Sequence, residues 1–292
     1  MIKYVKIDGN GNHFLVLDNR KGQYLESDMR EMAVRDCNVK TSVGGDGILV
    51  VESSSISDFK MRIFNSNGFE GEMCGNGARC IALYAYREGI AGRNMCFETL
   101  AGVIKAEVKQ NGIVISMGRI QLEPLVEREI LMTFESRKTR KIPYYYFKVG
   151  VPHVVIDESE AGGFTLEERR AIGCHLNSEF AVDELGNRFF ELGTNVNFFA
   201  RNNEGQIEAI TYERGVDDFT DSCGTGSCAC ALYDAMKRKS KSPFAVQNPG
   251  GVNTVYLDFS EDQQFCTLRL EGEAHYRADI YIKEDYLTDW YL

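Results

Sequence analysis

The sequence predicts an α+β protein made of two related halves, each a strand-rich layer packed on a helix that begins at a cysteine. Short runs with strand-like alternation dominate the 292 residues. A glycine-flanked cysteine opens a helix-like run twice, at Cys74 and at Cys223. These two settings lie 149 positions apart, and the same offset aligns the helices and hairpins that follow them. A fixed offset over so much chain indicates an internal duplication.

The duplication holds without a gap from each cysteine through the next hairpin. The offset pairs Gly75 with Gly224, Gly77 with Gly226, Ala82-Leu83-Tyr84 with Ala231-Leu232-Tyr233, and Gly102-Val103 with Gly251-Val252. Because identical residues recur in both helix and hairpin, chance similarity is a poor explanation. We therefore expect an N-terminal lobe of residues 1–119 plus 275–292 and a C-terminal lobe of residues 120–274, with a short crossing near residues 118–122.

In the first half, alternating apolar residues predict strands, and two longer periodic runs predict helices. A Gly9-Asn10-Gly11-Asn12 turn separates the first two strands, and Asn111-Gly112 makes a later hairpin. The predicted strands cover residues 2–7, 13–17, 48–51, 59–64, 95–100, 103–108 and 113–117, and the predicted helices cover residues 25–37 and 78–87.

The second half shows a similar order of elements. Thr165-Leu166-Glu167-Glu168 fits a capping box that opens a helix, and the second cysteine opens a helix over residues 225–237. Strands are predicted at residues 129–134, 144–156, 189–192, 196–199, 206–212, 252–259, 266–270 and 276–282. We expect the last of these strands to return to the first half.

The composition is that of an ordinary globular protein, with 43% apolar and 26% charged residues. No run of about 18 apolar residues is present, so neither a membrane span nor a membrane partner is expected. A formal net charge of −10 without a basic stripe argues against a nucleic-acid partner. The first stretch alternates like a strand and lacks a signal-peptide block, which predicts a cytoplasmic protein. The oligomeric state stays open, with a homodimer among the options.

Nine cysteines are a high count for a chain of 292 residues. An odd number in a chain expected in the cytoplasm argues against a disulfide framework. No metal is expected, since the chain holds no C-x-x-C pair and none of its four histidines falls in a ligand pattern. Apart from Cys74 and Cys223, we interpret most of the cysteines as small buried hydrophobic residues.

The settings of Cys74 and Cys223 suit proton transfer at a carbon acid. Flanking glycines let backbone N–H groups approach a ligand, and a helix start supplies unpaired N–H groups and a positive dipole end. Two such ends can clamp one carboxylate and place a sulfur on each side of its α-carbon. The same environment lowers a thiol pKa, although two thiols in one pocket do not both ionise readily. A thiolate on one face and a thiol on the other can then invert the centre without a cofactor.

Other functions are open at this point. A hydrolase that pairs Cys74 or Cys223 with His153 would use one cysteine and leave the other unexplained. A redox dithiol is disfavoured by the missing C-x-x-C pair, and no lysine motif for pyridoxal phosphate is evident. A non-catalytic pair of lobes that binds zwitterions would have no need of two opposed thiols.

The two cysteine motifs, taken together, resemble the diaminopimelate epimerase family. The strongest matches are Phe64-Asn65 before Glu72-Met73-Cys74-Gly75-Asn76-Gly77-Ala78-Arg79-Cys80, and Tyr212-Glu213-Arg214-Gly215 before Ser222-Cys223-Gly224-Thr225-Gly226. Weaker matches are Gly11-Asn12, Gly44-Gly45-Asp46-Gly47, Pro152-His153, Asn195-Val196 and Pro249-Gly250-Gly251. The matches extend over most of the chain. The paired cysteine motifs are specific, whereas the glycine-rich pieces alone are not.

The resemblance implies two similar lobes, each a mostly antiparallel, barrel-like sheet around a central helix, with the active site between them. It implies a cofactor-independent isomerase that interconverts LL- and meso-diaminopimelate, a small-molecule amino-acid substrate. Cys74 and Cys223 would be its acid and base, exchanging roles with the direction of the reaction.

The resemblance also implies which groups bind the substrate. At the reacting centre, the carboxylate would be held by the backbone N–H groups of Gly75, Asn76, Gly224 and Thr225, with Asn12 near the ammonium. At the far end, Asn65 and Glu213 would take the ammonium, and Asn195 and Arg214 the carboxylate, Arg214 through its planar donor fork. Without the resemblance, the asparagines are interpreted as turn residues and Glu213 with Arg214 as an exposed ion pair.

Two positions depart from the family pattern. The family usually has Gly-Asn-Pro-His where this chain has Gly150-Val151-Pro152-His153, so an apolar side chain replaces a donor to the far carboxylate. Losing one donor to a charged group weakens recognition by roughly 1–3 kcal/mol. The usual Gly-Asn-Asp-Phe is Gly11-Asn12-His13-Phe14. These changes keep the reaction and leave its substrate open; the alternative is a racemase for another amino acid such as histidine, or for an analogue such as lanthionine.

Overall fold

The computed structural model describes residues 1–135, 139–177 and 193–283. Its internal contacts divide the chain into two compact units, which we call the first and second units. The first is Met1–Ser116 with the chain from Gly272 onward, and the second is Met117–Glu271. The strand predicted at residues 189–192 lies outside the described residues.

In chain order, the described residues form five helices and eighteen strands. They are β1 (Ile2–Gly9), β2 (Asn12–Asp18), α1 (Glu26–Asp36), β3 (Gly47–Glu52), β4 (Phe59–Asn65), β5 (Glu70–Gly71), α2 (Gly75–Arg87), β6 (Asn94–Thr99), β7 (Gly102–Val108), β8 (Ile113–Gln121), β9 (Glu127–Thr133), β10 (Thr139–Val149), β11 (Val151–Asp157), α3 (Glu158–Ala161), α4 (Leu166–Asn177), β12 (Asn195–Arg201), β13 (Ile207–Glu213), β14 (Asp218–Thr220), α5 (Gly224–Arg238), β15 (Phe244–Asn248), β16 (Gly251–Phe259), β17 (Phe265–Gly272) and β18 (His275–Ile282).

The longer strands of the first unit pair in the order β18-β1-β2-β3-β4-β6-β7-β8. The β2–β3 and β4–β6 pairs are parallel, and the other pairs are antiparallel. A parallel neighbour requires a crossover connection, and these two crossovers carry α1 and α2. The β18–β1 pair returns the end of the described chain to its first strand.

The second unit repeats this arrangement with β9-β10-β11-β12-β13-β15-β16-β17. Its parallel pairs are β11–β12 and β13–β15, and their crossovers carry α4 and α5. The order of parallel and antiparallel pairs is the same in both units. The predicted fold class, a duplicated and mostly antiparallel α+β protein, is therefore confirmed.

The two cysteine helices, α2 and α5, lie at the centre of their units. Residues 76–85 of α2 and residues 226–235 of α5 are buried without interruption. A helix buried on every side belongs inside a core rather than at a surface. Accordingly α2 contacts β1, β2, β3, β4 and β7, while α5 contacts β10, β11, β12, β13, β15 and β16.

A second helix covers each sheet from outside. Met29, Met32 and Ala33 of α1 join a core cluster with residues of β1, β2 and β3. In the second unit, Ile172 and Leu176 of α4 take the same part in a matching cluster. The predicted capping box opens α4: Glu168 N donates to Thr165 Oγ1 at 3.2 Å, and Thr165 N donates to Glu168 Oε2 at 3.0 Å.

One predicted strand is wrong. Residues 144–156 form parts of two antiparallel strands, β10 and β11, because the chain reverses at Gly150. Gly150 has a φ of 71°, a left-handed conformation that glycine adopts without steric cost. Apolar residues continue on both sides of this single glycine, so their pattern conceals the turn. The shorter elements β5, α3, β14 and β15 were not predicted, since so few residues carry little periodicity.

Candidate active site

Cys74 is the N-cap of α2. Its backbone is extended, with φ −134° and ψ 124°, and its Sγ accepts a hydrogen bond from Gly77 N at 3.4 Å. The sequence predicts a helix start at Ala78, whereas the structure begins the helix at Gly75. The early start places the thiol where a serine or aspartate oxygen usually caps a helix.

Cys223 has the same role at the start of α5. Its backbone is extended, with φ −116° and ψ 110°, and its Sγ accepts from Gly226 N at 3.4 Å. The hydroxyl of Thr225 lies 3.5 Å from this sulfur. Cys223 is buried, while Cys74 is half-buried.

Each N-cap sulfur therefore lies where negative charge is stabilised. The positive end of the helix dipole and one backbone N–H favour a thiolate at each position. The first backbone N–H groups of each helix lie at its positive end, and they belong to Gly75 and Asn76 in one unit and to Gly224 and Thr225 in the other. Each helix start thus presents a sulfur together with donors for an anion.

Asn12 is tied to the start of α2. Asn76 Nδ2 donates to Asn12 Oδ1 at 2.6 Å, and Asn12 Nδ2 donates to Asp46 Oδ2 at 3.2 Å. The same Asp46 oxygen accepts from His13 N at 2.7 Å. The sequence includes Asp46 in the weak Gly44-Gly45-Asp46-Gly47 match and predicts no role for its side chain. The structure joins it to a predicted substrate contact.

Asn65 lies at the carboxyl end of β4, and its side chain is exposed. In the β3–β4 pair it stands opposite Gly47. The loop after it contacts the loop of Asp46, since Ser66 N donates to Asp46 O at 3.1 Å. The last residue of β4, Asn65, and the first residue of β2, Asn12, are therefore linked through the loop of Asp46 in the first unit.

The second unit brings together Asn195, Glu213 and Arg214. Asn195 Oδ1 accepts from Arg214 N at 2.8 Å, so Nδ2 is the group that Asn195 can donate to a ligand. Glu213 ends β13 and is half-buried. Burial raises the pKa of the Glu213 carboxyl. A cationic ligand at this carboxyl would favour its ionised form and oppose the effect of burial.

A buried polar cluster supports the start of α5, and sequence reasoning missed it. Thr211 Oγ1 donates to Asn197 Oδ1 at 2.9 Å, and Asn197 Nδ2 donates to Val154 O at 2.8 Å. The same amide nitrogen lies 3.2 Å from His153 Nδ1. The signal available in the sequence was alternation, which places Asn197 and Thr211 on inward positions of two strands.

His153 is fully buried, and burial lowers its pKa to about 3. Because Asn197 Oδ1 is occupied by Thr211, its amide nitrogen faces the ring, so Nδ1 accepts and the proton is assigned to Nε2. A neutral imidazole with so low a pKa is a poor general base near pH 7. This geometry disfavours a thiol hydrolase that depends on His153.

Val151 occupies the place in the second unit that Asn12 has in the first. In the β1–β2 hairpin Gly9 stands opposite Asn12, and in the β10–β11 hairpin Val149 stands opposite Val151. A glycine with positive φ precedes each of them. The two halves therefore differ in the polarity of this position, and the side chain of Val151 offers no hydrogen bond.

The remaining cysteines are mostly buried, as predicted. Cys37, Cys80, Cys228, Cys230 and Cys266 are buried, Cys96 is half-buried and Cys174 is exposed. Burial raises the pKa of Cys37 to about 12 and of Cys266 to about 11, which keeps both as thiols. In the described ranges no group of three or more His, Cys, Asp or Glu side chains could hold a metal ion. None of the described helices is long and apolar enough to cross a membrane.

Comparison with known proteins relates these features to one family. Residues 4–123 and 145–274 match the family model described as diaminopimelate epimerase. The diaminopimelate epimerase of Aquifex aeolicus (strain VF5) is 37% identical over 273 residues, 89% of this chain and 91% of that protein. The diaminopimelate epimerase of Caldanaerobacter subterraneus subsp. tengcongensis is 34% identical over 295 residues, 96% of this chain and 100% of that protein.

Among solved structures, a PhzF-family phenazine biosynthesis protein from Bacillus anthracis superposes on this chain with a TM-score of 0.67. The superposition covers 97% of this chain and 99% of the other, at 18% sequence identity. At that identity the likeness concerns the fold alone.

Proposed function

Because the chain belongs to the diaminopimelate epimerase family, we propose that it interconverts LL- and meso-diaminopimelate by proton transfer between two thiols and one α-carbon, without pyridoxal phosphate. The observation that carries this proposal is the repeated cap geometry. Cys74 and Cys223 each accept a backbone N–H from the third residue of a central helix. Two equivalent sulfurs suit inversion at a carbon acid by a two-base route, with one sulfur for each face.

The reaction balances within the enzyme and its substrate. The thiolate of one cysteine takes the α-proton and becomes a thiol, and the electron pair of the broken C–H bond stays on the substrate. Backbone N–H groups at the helix starts stabilise the charge that spreads into the carboxylate. The thiol of the other cysteine then gives its proton to the opposite face and becomes a thiolate. The two cysteines exchange roles, so the reverse reaction runs by the same steps.

The far end of the substrate would be held by Asn65, Asn195, Glu213 and Arg214. The half-buried Glu213 carboxyl, whose pKa is raised by burial, would gain a counter-charge from the distal ammonium. Arg214 would offer its guanidinium to the distal carboxylate, beside the amide nitrogen of Asn195. A catalytic thiolate needs a reducing compartment, which favours a cytoplasmic location for the enzyme.

A second candidate keeps this mechanism and changes the substrate. Val151 favours it, because a valine contributes no donor at the position where the family asparagine would reach the distal carboxylate. An amino acid without that carboxylate, such as histidine, would then be the better substrate. Lanthionine, which keeps a distal carboxylate, would be favoured only by a difference in the spacing between its two ends.

The discriminating experiment is deuterium exchange in D₂O with no added cofactor. LL-diaminopimelate is expected to gain deuterium at an α-carbon and to convert to the meso form. Exchange restricted to other members of an amino-acid panel would select the second candidate. Exchange with no amino acid, alongside measurable binding, would instead identify a zwitterion-binding protein.

Cysteine variants test the two-thiol mechanism directly. Cys74→Ala and Cys223→Ala are each expected to abolish net epimerisation, since one face then lacks its proton carrier. Cys174→Ala is the matched control, because that exposed thiol lies on α4, outside both cap sites. Full activity in either cap variant would eliminate the mechanism.

A further inference from the structure

We propose that Arg79 is a positioning residue that fixes the side-chain amides of Asn76 and Asn12, beside the candidate site of the first unit, through a directional chain of hydrogen bonds. This inference rests on the proposed function, since it concerns how Asn12 and Asn76 are held for the reacting centre. Arg79 lies one turn inside α2 and is fully buried. Helical side chains lean toward the helix start, which brings its guanidinium back to Asn76.

The chain of hydrogen bonds runs through four side chains. Arg79 Nη2 donates to Asn76 Oδ1 at 2.6 Å, and Asn76 Nδ2 donates to Asn12 Oδ1 at 2.6 Å. Asn12 Nδ2 then donates to Asp46 Oδ2 at 3.2 Å. A cation therefore stands at one end, an anion stands at the other, and two amides lie between them.

The two ends decide which way both amides point. A guanidinium can only donate hydrogen bonds and an ionised carboxylate can only accept them. Turning either amide over would set donor against donor at one side and acceptor against acceptor at the other. Asn12 therefore keeps its carbonyl oxygen toward Asn76, with a second lone pair available for an ammonium. When one end is lost, the other still orients the amide beside it, but the more distant amide is held by a neutral hydrogen bond alone and is fixed less firmly.

The surroundings of Arg79 are shaped to hold the guanidinium in place. A Cβ built on Gly272 would lie 2.7 Å from Arg79 Cζ and 2.9 Å from Arg79 Nε, so only glycine leaves room for the group. Burying a cation is costly, and an apolar side chain of similar length would fill this core at lower cost. The position is therefore better explained by orientation of Asn76 than by stability.

Three substitutions weaken this chain at different points. Arg79→Met removes the donor, Gly272→Ala displaces the guanidinium without changing it, and Asp46→Asn removes the obligate acceptor at the exposed end. Each is expected to lower kcat/KM about tenfold, mainly through KM, as when one hydrogen bond to a charged ligand is lost. Arg79→Lys, which keeps a donor and the charge, is expected to recover part of the loss.

A double-mutant cycle separates positioning from general structural support. In an Asn12→Ala background, Arg79→Met should reduce kcat/KM by less than about twofold further, because the residue it acts through is gone. An equal loss in both backgrounds would overturn the proposal. Arg87→Met is the matched control on the same helix, where the arginine stacks on Tyr276 with Cζ 4.8 Å from the ring centroid. It should leave kcat/KM unchanged.

A second readout does not depend on turnover. The side-chain amide resonances of Asn12 should shift in Asp46→Asn and Arg79→Met and stay unchanged in Arg87→Met. Unmoved resonances in the first two variants would refute the chain. If Arg79→Met fails to fold by circular dichroism, Asp46→Asn and Gly272→Ala decide the matter. If the wild-type protein exchanges the α-hydrogen of no amino acid, the proposed function is refuted. The amide resonances would still test the chain of hydrogen bonds.

Discussion

The sharpest test of this fold compares the same substitution at two duplicated positions, Gly226→Ala and Gly77→Ala. Both glycines are the third residue of a central helix, and both donate their N–H to the cap sulfur at 3.4 Å. Alanine keeps this donor, so each substitution changes only the space near the helix. The neighbours of that space differ between the units, which predicts different outcomes.

In the second unit the new methyl group meets buried polar atoms. Its Cβ would lie well inside van der Waals contact of Asn197 Oδ1 and 2.9 Å from Thr211 Oγ1. The amide must then retreat by about 1 Å to reach ordinary contact. That shift breaks or strains its hydrogen bonds to Thr211, Val154 and His153. A buried polar group left without its partner costs about 1–3 kcal/mol, so we expect a total loss of about 2–4 kcal/mol.

In the first unit the neighbours are flexible and apolar. The Cβ of Gly77→Ala would lie 3.1 Å from Leu49 Cδ2 and 3.5 Å from Met61 Cε, both at the ends of side chains. A shift of a few tenths of an ångström accommodates it. The better helix propensity of alanine, up to about 1 kcal/mol, offsets the residual crowding. We expect a stability within about 1 kcal/mol of the wild type.

Differential scanning calorimetry measures the contrast. Gly226→Ala should lower Tm by about 5–15 °C, while Gly77→Ala should change it by less than about 4 °C. Amide hydrogen exchange should localise the weakened protection to β12, β13 and α5. Equal destabilisation by both alanines, or an unchanged Tm for Gly226→Ala, would refute the reasoning from the Asn197 contacts.

Two further predictions concern His153 and Val151. The folded protein keeps His153 neutral to about pH 3, whereas an unfolded imidazole takes a proton near pH 6.5. Proton binding then favours the unfolded state as pH falls below about 6.5, so about 3 kcal/mol of the unfolding free energy should be lost by pH 4. The His153→Gln variant should lose less unfolding free energy over the same pH range. Urea titrations at each pH measure both losses. Val151→Asn should lower KM for diaminopimelate about tenfold with little change in kcat, because it restores a donor. Val151→Leu, the control, should leave KM unchanged. An unaltered KM in Val151→Asn would argue against a distal carboxylate at this position.

Much of the fold could be predicted because its signals are local. Long alternating runs and the two cysteine helices carry their own periodicity, and the offset from Cys74 to Cys223 exposed the duplication. The reversal at Gly150 was missed because apolar residues flank the glycine on both sides. The start of α2 was placed late because its first turn consists of residues whose helical role comes from capping rather than from periodicity.

The candidate site divides in the same way. Cys74 and Cys223 could be identified because a capping residue and its flanking glycines are neighbours in sequence. The chain of hydrogen bonds from Arg79 to Asp46 could not be identified, because it joins residues whose contacts depend on how β1, β2 and the loop before β3 are placed. Nor does any local pattern reveal that Asn197 and Thr211 meet beneath Gly226.

The sequence by itself determined the duplication, the two thiols at helix starts and the type of reaction they suit, since these depend on residue type over a few positions. Only the tertiary structure decided which polar side chains meet and how strongly burial acts on them. Burial raises the pKa of Glu213 and lowers that of His153, because an interior disfavours whichever form of a group is charged. Desolvation of this kind exists only once distant strands pack together, and no window of sequence contains it.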